Sequence, residues 1–130
     1  MRSIPAIAEV MTNAPHTIGN DISVKKAHEM MREGHYRHLP VQHGGKLVGL
    51  ISDRDVSLAS SFGDPEKLTV DDVMTQAPYT VKDSTSLDQV VAQMAEQKIG
   101  SAIVVDDHEK VVGIFTAVDA LKLFLERLKN

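Results

Sequence analysis

The chain has no cysteine and no tryptophan among its 130 residues, and only three phenylalanines and two tyrosines. Without cysteine there are no disulfides, thiol nucleophiles or thiolate metal sites. So few aromatics leave no platform on which unpaired bases would stack, and a net charge of −4 gives no general attraction to nucleic acid or to an anionic membrane. No stretch approaches the length of a bilayer span. The opening Met1-Arg2-Ser3-Ile4-Pro5-Ala6-Ile7-Ala8-Glu9 also lacks the continuous apolar core of a signal peptide. These absences predict a soluble, cytoplasmic, globular chain with an aliphatic core and no DNA or membrane partner. Any anion site must be local.

What the sequence does contain is a duplication. Val10-Met11-Thr12-Asn13-Ala14-Pro15-His16-Thr17 returns 63 positions on as Val73-Met74-Thr75-Gln76-Ala77-Pro78-Tyr79-Thr80. Ser23, Met31, Glu33 and Val41 find Ser86, Met94, Glu96 and Val104 at the same spacing, whereas Gly49 and Asp55 find Gly113 and Asp119 at 64. The extra residue falls in a turn, where His43-Gly44-Gly45-Lys46 corresponds to the longer Asp106-Asp107-His108-Glu109-Lys110. The repeats are therefore set at residues 7–61 and 70–130, joined by a turn-rich linker over 62–69.

Each repeat reads β-α-β-β-α, an α/β (α+β) pattern. Ala14-Pro15 and Ala77-Pro78 are expected to be extended, since proline pushes its predecessor out of the helical region, with short strands following at 16–18 and 79–81. A helix comes next. Val24, Ala27 and Met31 form its apolar stripe in the first repeat, with Ser23 as cap and Gly34 as stop. Leu87, Val90, Val91 and Met94 do so in the second, with Ser86 and Gln89 as a capping box. Hairpins then pair 39–41 with 47–51 and 102–105 with 111–115, and Pro40 is expected at an edge or a bulge. Short helical lead-ins are expected at 7–11 and 70–74. A repeat of this size buries too little surface to be comfortable alone, so the two are expected to pack through their sheets about a pseudo-twofold axis.

The duplicated stretch that carries chemistry is Gly49-Leu50-Ile51-Ser52-Asp53-Arg54-Asp55, matched by Gly113-Ile114-Phe115-Thr116-Ala117-Val118-Asp119. A glycine inside a strand marks a bulge or a close approach by another backbone or a ligand. Ser or Thr followed three residues later by Asp is a helix N-terminal capping pattern. The same pair can also clamp a sugar, because a carboxylate accepts two hydrogen bonds from a vicinal diol and the hydroxyl supplies another. Cap and clamp are compatible.

With the Val-Met-Thr-x-x-Pro-x-Thr openings and the strand Arg37-His38-Leu39-Pro40-Val41, these motifs make the chain resemble the tandem CBS domain pair, or Bateman module, from about Ile7 to Leu125. The resemblance implies a non-enzymatic regulatory module with cleft sites for AMP, ADP or ATP, or for NAD or S-adenosylmethionine. It places Ser52 and Asp55, and Thr116 and Asp119, on ribose. Adenine is expected against strand backbone and apolar groups around Thr17, Pro40, Gly49, Thr80, Ile103 and Gly113. Phosphate is expected to meet Arg37, His38 and Arg54, reaching the nucleotide whose ribose Thr116 and Asp119 hold. The second repeat has Gly100, Ser101 and Val118 at those cationic positions, which predicts unequal sites. No catalytic cofactor is implied. With no catalytic domain in this sequence, output is expected in trans, on a protein partner that the sequence does not identify.

Two rivals stand beside this reading. Histidines 28, 35, 38 and 43 raise a metal-dependent enzyme, but none are at the i, i+4 spacing of a helical zinc motif, so no metal-binding residues are expected. A partner-binding scaffold with vestigial pockets is the other. The last helix carries Leu121, Phe124, Leu125 and Leu128 on one face with Val118 at its start, a stripe that either covers the chain's own core or, as the family favours, joins two modules in a homodimer.

Overall fold

Local signals in the two repeats produce the same run of elements twice. The structure is a computed structural model and describes residues 3–130. A 3-10 turn at Ile7–Glu9 leads to β1 (Thr12–Asn13), β2 (Ile18–Gly19), α1 (Val24–Gly34), β3 (His38–His43), β4 (Lys46–Ser52) and α2 (Asp53–Phe62). The second pass gives α3 (Val70–Val73), β5 (Thr75–Gln76), β6 (Thr80–Lys82), α4 (Leu87–Gln97), β7 (Ser101–Val105), β8 (Val111–Thr116) and α5 (Ala117–Lys129). This is a mixed α/β chain with two four-stranded sheets, ordered β2-β3-β4-β5 and β1-β8-β7-β6. No helix among the described residues is long and apolar enough to cross a membrane.

The sheets exchange their edges between the repeats. β5 of the second repeat pairs antiparallel with β4 of the first (Leu50 opposite Thr75), and β1 of the first pairs with β8 of the second (Thr12 opposite Ile114). The compact units are accordingly His16–Pro78, and the segment ending at Pro15 together with Tyr79–Asn130. The motif glycines make this possible. A Cβ on Gly49 would lie 2.5 Å from Met74 Sδ and 2.8 Å from the carbonyl oxygen of Thr75, and one on Gly113 would overlap the Met11 side chain. The close approach inferred from the sequence is made by the chain itself.

Each unit has its own core. In the 16–78 unit Val24, Ala27 and Met31 of α1 pack against Leu39, Val41 and Ile51 of the hairpin, with Val56 and Val70 from α2 and α3. In the other unit Val90 and Met94 of α4 meet Ala102, Val104, Phe115 and Ile7. The stripe spacing of both helices is thus explained by burial against a sheet, except at Val91, which the stripe included but which is 38% exposed.

Several expectations need correction. Ala14 and Ala77 are not extended but left-handed, with φ of 47° and 48°. Each turns the chain out of a two-residue edge strand, and that turn overrides the local pre-proline preference. Gly34 is the last helical residue rather than the stop. The left-handed cap is His35 (φ 57°), and Gly34 lacks a side chain because the Tyr36 ring lies over it, with Cδ1 2.6 Å from where a Cβ would stand. Ser86 caps α4 by position but makes no side-chain bond, so the box with Gln89 does not form. The Leu87 amide donates instead to the Pro5 carbonyl at 2.9 Å. The short strands begin later than expected, at Ile18 and Thr80, and strands β1 and β5 were not anticipated. Pro40 sits in an interior strand, yet its β2 neighbour starts only opposite Val41, and a bulge follows Val41, so its missing amide breaks no ladder bond there.

Candidate functional site

The motif residues occupy two strand-to-helix corners, one per unit. At the end of β4, Ser52 is the N-cap of α2. Its amide donates to Asp55 Oδ2 at 2.9 Å, and the Asp55 amide donates to Ser52 Oγ at 3.1 Å. At the end of β8, Thr116 caps α5 in the same way, with its amide 2.9 Å from Asp119 Oδ2 and the Asp119 amide 3.2 Å from Thr116 Oγ1. Both capping boxes are therefore complete. Each uses one carboxylate oxygen, Oδ2, and one acceptor position on the hydroxyl; neither the second carboxylate oxygen nor the hydroxyl hydrogen belongs to the box. All four side chains are half-buried or close to it, fixed in orientation but within reach of a ligand.

Strand register sets what stands beside each corner. His38 lies opposite Ser52 across the β3–β4 ladder, and the Arg37 carbonyl accepts from the Asp53 amide at 2.9 Å. The equivalent register puts Ser101 opposite Thr116, with the Gly100 carbonyl accepting from the Ala117 amide at 2.9 Å. Arg37, His38 and Arg54 are thus brought to the Ser52–Asp55 corner by backbone geometry, and the other corner carries no cation at those positions. Arg37 Nε stands 4.0 Å from Asp53 Oδ2, both side chains mostly exposed, a loose pair of small energetic value.

The residues expected around adenine fall in the same strands. Thr80 pairs with Ile103, whose amide donates to the Tyr79 carbonyl, and Gly113 faces Val104 on one side and Asn13 on the other. In the 16–78 unit Gly49 lies opposite Val41 and Gln76, Pro40 opposite Leu50, and half-buried Thr17 directly precedes β2. Burial raises the pKa of the Tyr79 hydroxyl above its ordinary value. Met11 and Met74 were missed as site-shaping residues. Their signal was present in the repeated Val-Met-Thr, but nothing local says that each methionine lies over the glycine of the opposite repeat.

Among the described residues no group of three His, Asp or Glu side chains is placed to hold a metal ion. His43 instead shares a hydrogen bond of 3.1 Å with Asn20, and His16 stacks on Tyr36 with ring centres 5.2 Å apart.

Comparison with known proteins bears on these corners. The family model for the CBS domain matches twice, over residues 7–61 and 70–126. Among solved structures, the CBS domain pair of protein MJ0100, in complex with 5'-methylthioadenosine and S-adenosyl-L-methionine, is similar over 96% of this chain and 99% of its own, with 30% identity and a TM-score of 0.87. The CBS-pair protein CBSX2 from Arabidopsis thaliana is 28% identical with a TM-score of 0.82, covering 98% of this chain and 99% of its own, and CBSX2 has also been solved in complex with AMP. L-aspartate semialdehyde sulfurtransferase of Methanocaldococcus jannaschii is 32% identical over 93% of this chain but only 23% of that protein. Inosine-5'-monophosphate dehydrogenase of Korarchaeum cryptofilum is 36% identical over 79% of this chain and 21% of that protein. The chain spans about a quarter of the length of such curated relatives.

Proposed function

This chain belongs to the CBS domain family, as a tandem pair, and we propose that it is a non-enzymatic regulatory module that binds adenosine-containing ligands at its two strand-to-helix corners. The observation that carries the reading is the state of the capping boxes. A capping box uses only part of its two side chains, so capping and ligand binding are compatible. These boxes also hold an unspent carboxylate oxygen and a hydroxyl hydrogen side by side, the donor and acceptor set a ribose diol requires. The ligands of MJ0100 and CBSX2 all contain adenosine, which supports the same assignment here. In this reading Ser52 with Asp55, and Thr116 with Asp119, hold ribose. Adenine lies along the strands at Thr17, Pro40, Thr80 and Ile103, while Gly49 and Gly113 act one step back by admitting the edge strands.

Arg37, His38 and Arg54 are the cations for phosphate, so AMP, ADP and ATP are the preferred class, with NAD and S-adenosylmethionine as further candidates. Removing Arg54 is expected to weaken ATP and ADP by roughly tenfold, the effect of one charge-assisted hydrogen bond, while sparing 5'-methylthioadenosine. Calorimetric titration of the Arg54→Ala protein with that series checks it; equal losses for charged and uncharged ligands would contradict the phosphate role.

The module acts in trans on a protein partner in the cytoplasm, and it does so as a homodimer. The observation favouring assembly is α5, which has no fully buried residue and leaves Val118, Leu121, Phe124, Leu125 and Leu128 between 51% and 66% exposed. Such a stripe is costly in water and fits a second copy of itself.

A further inference from the structure

The two repeats share backbone but not chemistry on the outer side of their helices. In the 16–78 unit an open cavity of about 650 Å³ between α1 and α2 is lined by His28, Arg32, His35, Tyr36, Arg37 and Asp53, with Met31 and Ser57 completing it. The matching positions of the second repeat are Val91, Ala95, Lys98, Ile99, Gly100 and Ala117, with Leu121 in place of Ser57. Only Lys98 keeps a charge. The helices at the matching positions, α4 and α5, form without these polar groups.

Part of the charge has a local explanation. Arg32 in the last turn of α1 and His35 at its cap complement the negative end of the helix dipole. His28 sits in the middle of the helix and Arg37 lies beyond it, so the dipole accounts for neither. His28, Arg32 and His35 follow at i, i+4 and i+7 on one helical face. The cavity presents two permanent guanidinium charges and two imidazoles against one carboxylate, Asp53, with the Tyr36 and Ser57 hydroxyls as further donors. Guanidinium forks match the oxygen pairs of a phosphoryl group, and imidazole N–H groups donate to the same acceptors. The Tyr36 ring is held in place by stacking on His16 and by its seat over Gly34.

We propose that this cavity is a second ligand site, for the phosphoryl group of a phosphomonoester or of free phosphate, distinct from the ribose-holding corners. Its volume exceeds that of a bare phosphate and is in the range of ordinary small-molecule pockets. Only Arg37 is shared with the phosphate set assigned above, so Arg32 and His28 report on this site alone.

The test is a two-dimensional amide NMR titration of the full chain with inorganic phosphate and, in parallel, glycerol 3-phosphate. Saturable shifts at residues 28–37 and 53–57 are expected. Tighter binding of the ester identifies a metabolite as the source, and equal binding identifies free phosphate; both support the phosphoryl site. Arg32→Ala, an exposed helical change to the best helix former, is expected to weaken binding roughly tenfold, and His28→Gln by less. Arg54→Ala, which removes a cation of the nucleotide phosphate set that does not line this cavity, is expected to leave the phosphate affinity unchanged, which separates this site from the nucleotide reading. Shifts that do not saturate, that survive Arg32→Ala, or that vanish in Arg54→Ala would overturn the proposal.

Discussion

Asp119 and Asp55 each do two things with two oxygens, and substitutions can separate them. Asp119→Asn keeps an acceptor for the Thr116 amide, so the α5 cap is largely retained, but it replaces the second oxygen with a donor. Adenosine-ligand affinity is expected to fall by about tenfold or more with little change in thermal stability. Asp119→Ala removes both functions and is expected to destabilise the fold by about 1 kcal/mol in addition. Glycine 49 and glycine 113 differ in the same instructive way. The three atoms nearest an added methyl at Gly113 all belong to the Met11 side chain, whereas at Gly49 they include the Thr75 backbone carbonyl at 2.8 Å. A side chain can swing away and a paired strand cannot. Gly49→Ala should therefore be the more damaging, by about 1–3 kcal/mol in urea unfolding, and Met11→Ala should relieve Gly113→Ala but Met74→Ala should only partly relieve Gly49→Ala.

At the level of elements, turns and caps hold the pieces in register through carboxylates. Asp72 accepts from the Thr69 amide at 2.9 Å and its hydroxyl at 3.0 Å, and these bonds lower its pKa. Asp106 closes the second hairpin by accepting from the Lys110 and His108 amides, the former being the larger cause of its lowered pKa. A carboxylate whose pKa is depressed by folding adds stability above its unfolded pKa and loses it as pH falls through the folded one. Stability should thus be flat near neutrality and decline below about pH 4. Asp106→Asn should flatten that decline in denaturation midpoints measured from pH 7 to pH 3; an unchanged acid slope would show that the hairpin carboxylate plays no part.

Most of these elements were legible because their signals are local. Ser23 capping α1, the apolar stripe through Val24, Ala27 and Met31, the Gly44-Gly45 turn with both φ positive, and both hydroxyl–acid boxes follow from spacings of a few residues. Tertiary partners decided the rest. The exchange of β1 and β5, the left-handed alanines at their ends, and the Pro5 carbonyl that serves the α4 amide in place of a Ser86 box all depend on contacts between about 25 and 100 residues away in sequence. At the two corners, the capping roles of Ser52, Asp55, Thr116 and Asp119 could be named from their spacing. The methionines over the glycines and the basic cavity could not, since each is assembled from separate elements.

For the whole molecule, two consequences follow from the exposed apolar helix and the proposed ligand binding. Phe124→Asp or Leu121→Asp on α5 should convert a homodimer to monomer in sedimentation without loss of folding, because neither side chain belongs to a core; a wild-type monomer at the same concentration would contradict the dimer. Ligand should also stabilise the fold by mass action, about 2.7 kcal/mol at a hundred times Kd, or several degrees of Tm for a chain of this size. Regulation requires the ligand to prefer one conformation over another, and only that differential affinity can be transmitted to a partner.

The most direct measurement is calorimetric titration of the purified chain with AMP, ADP, ATP, NAD and S-adenosylmethionine, repeated on Asp119→Ala and Asp55→Ala. Saturable binding of at least one adenosine ligand is predicted, lost when the aspartate of its corner is replaced. Absence of binding by all five, or binding indifferent to both aspartates, would contradict the assignment and leave the two motifs as helix caps alone.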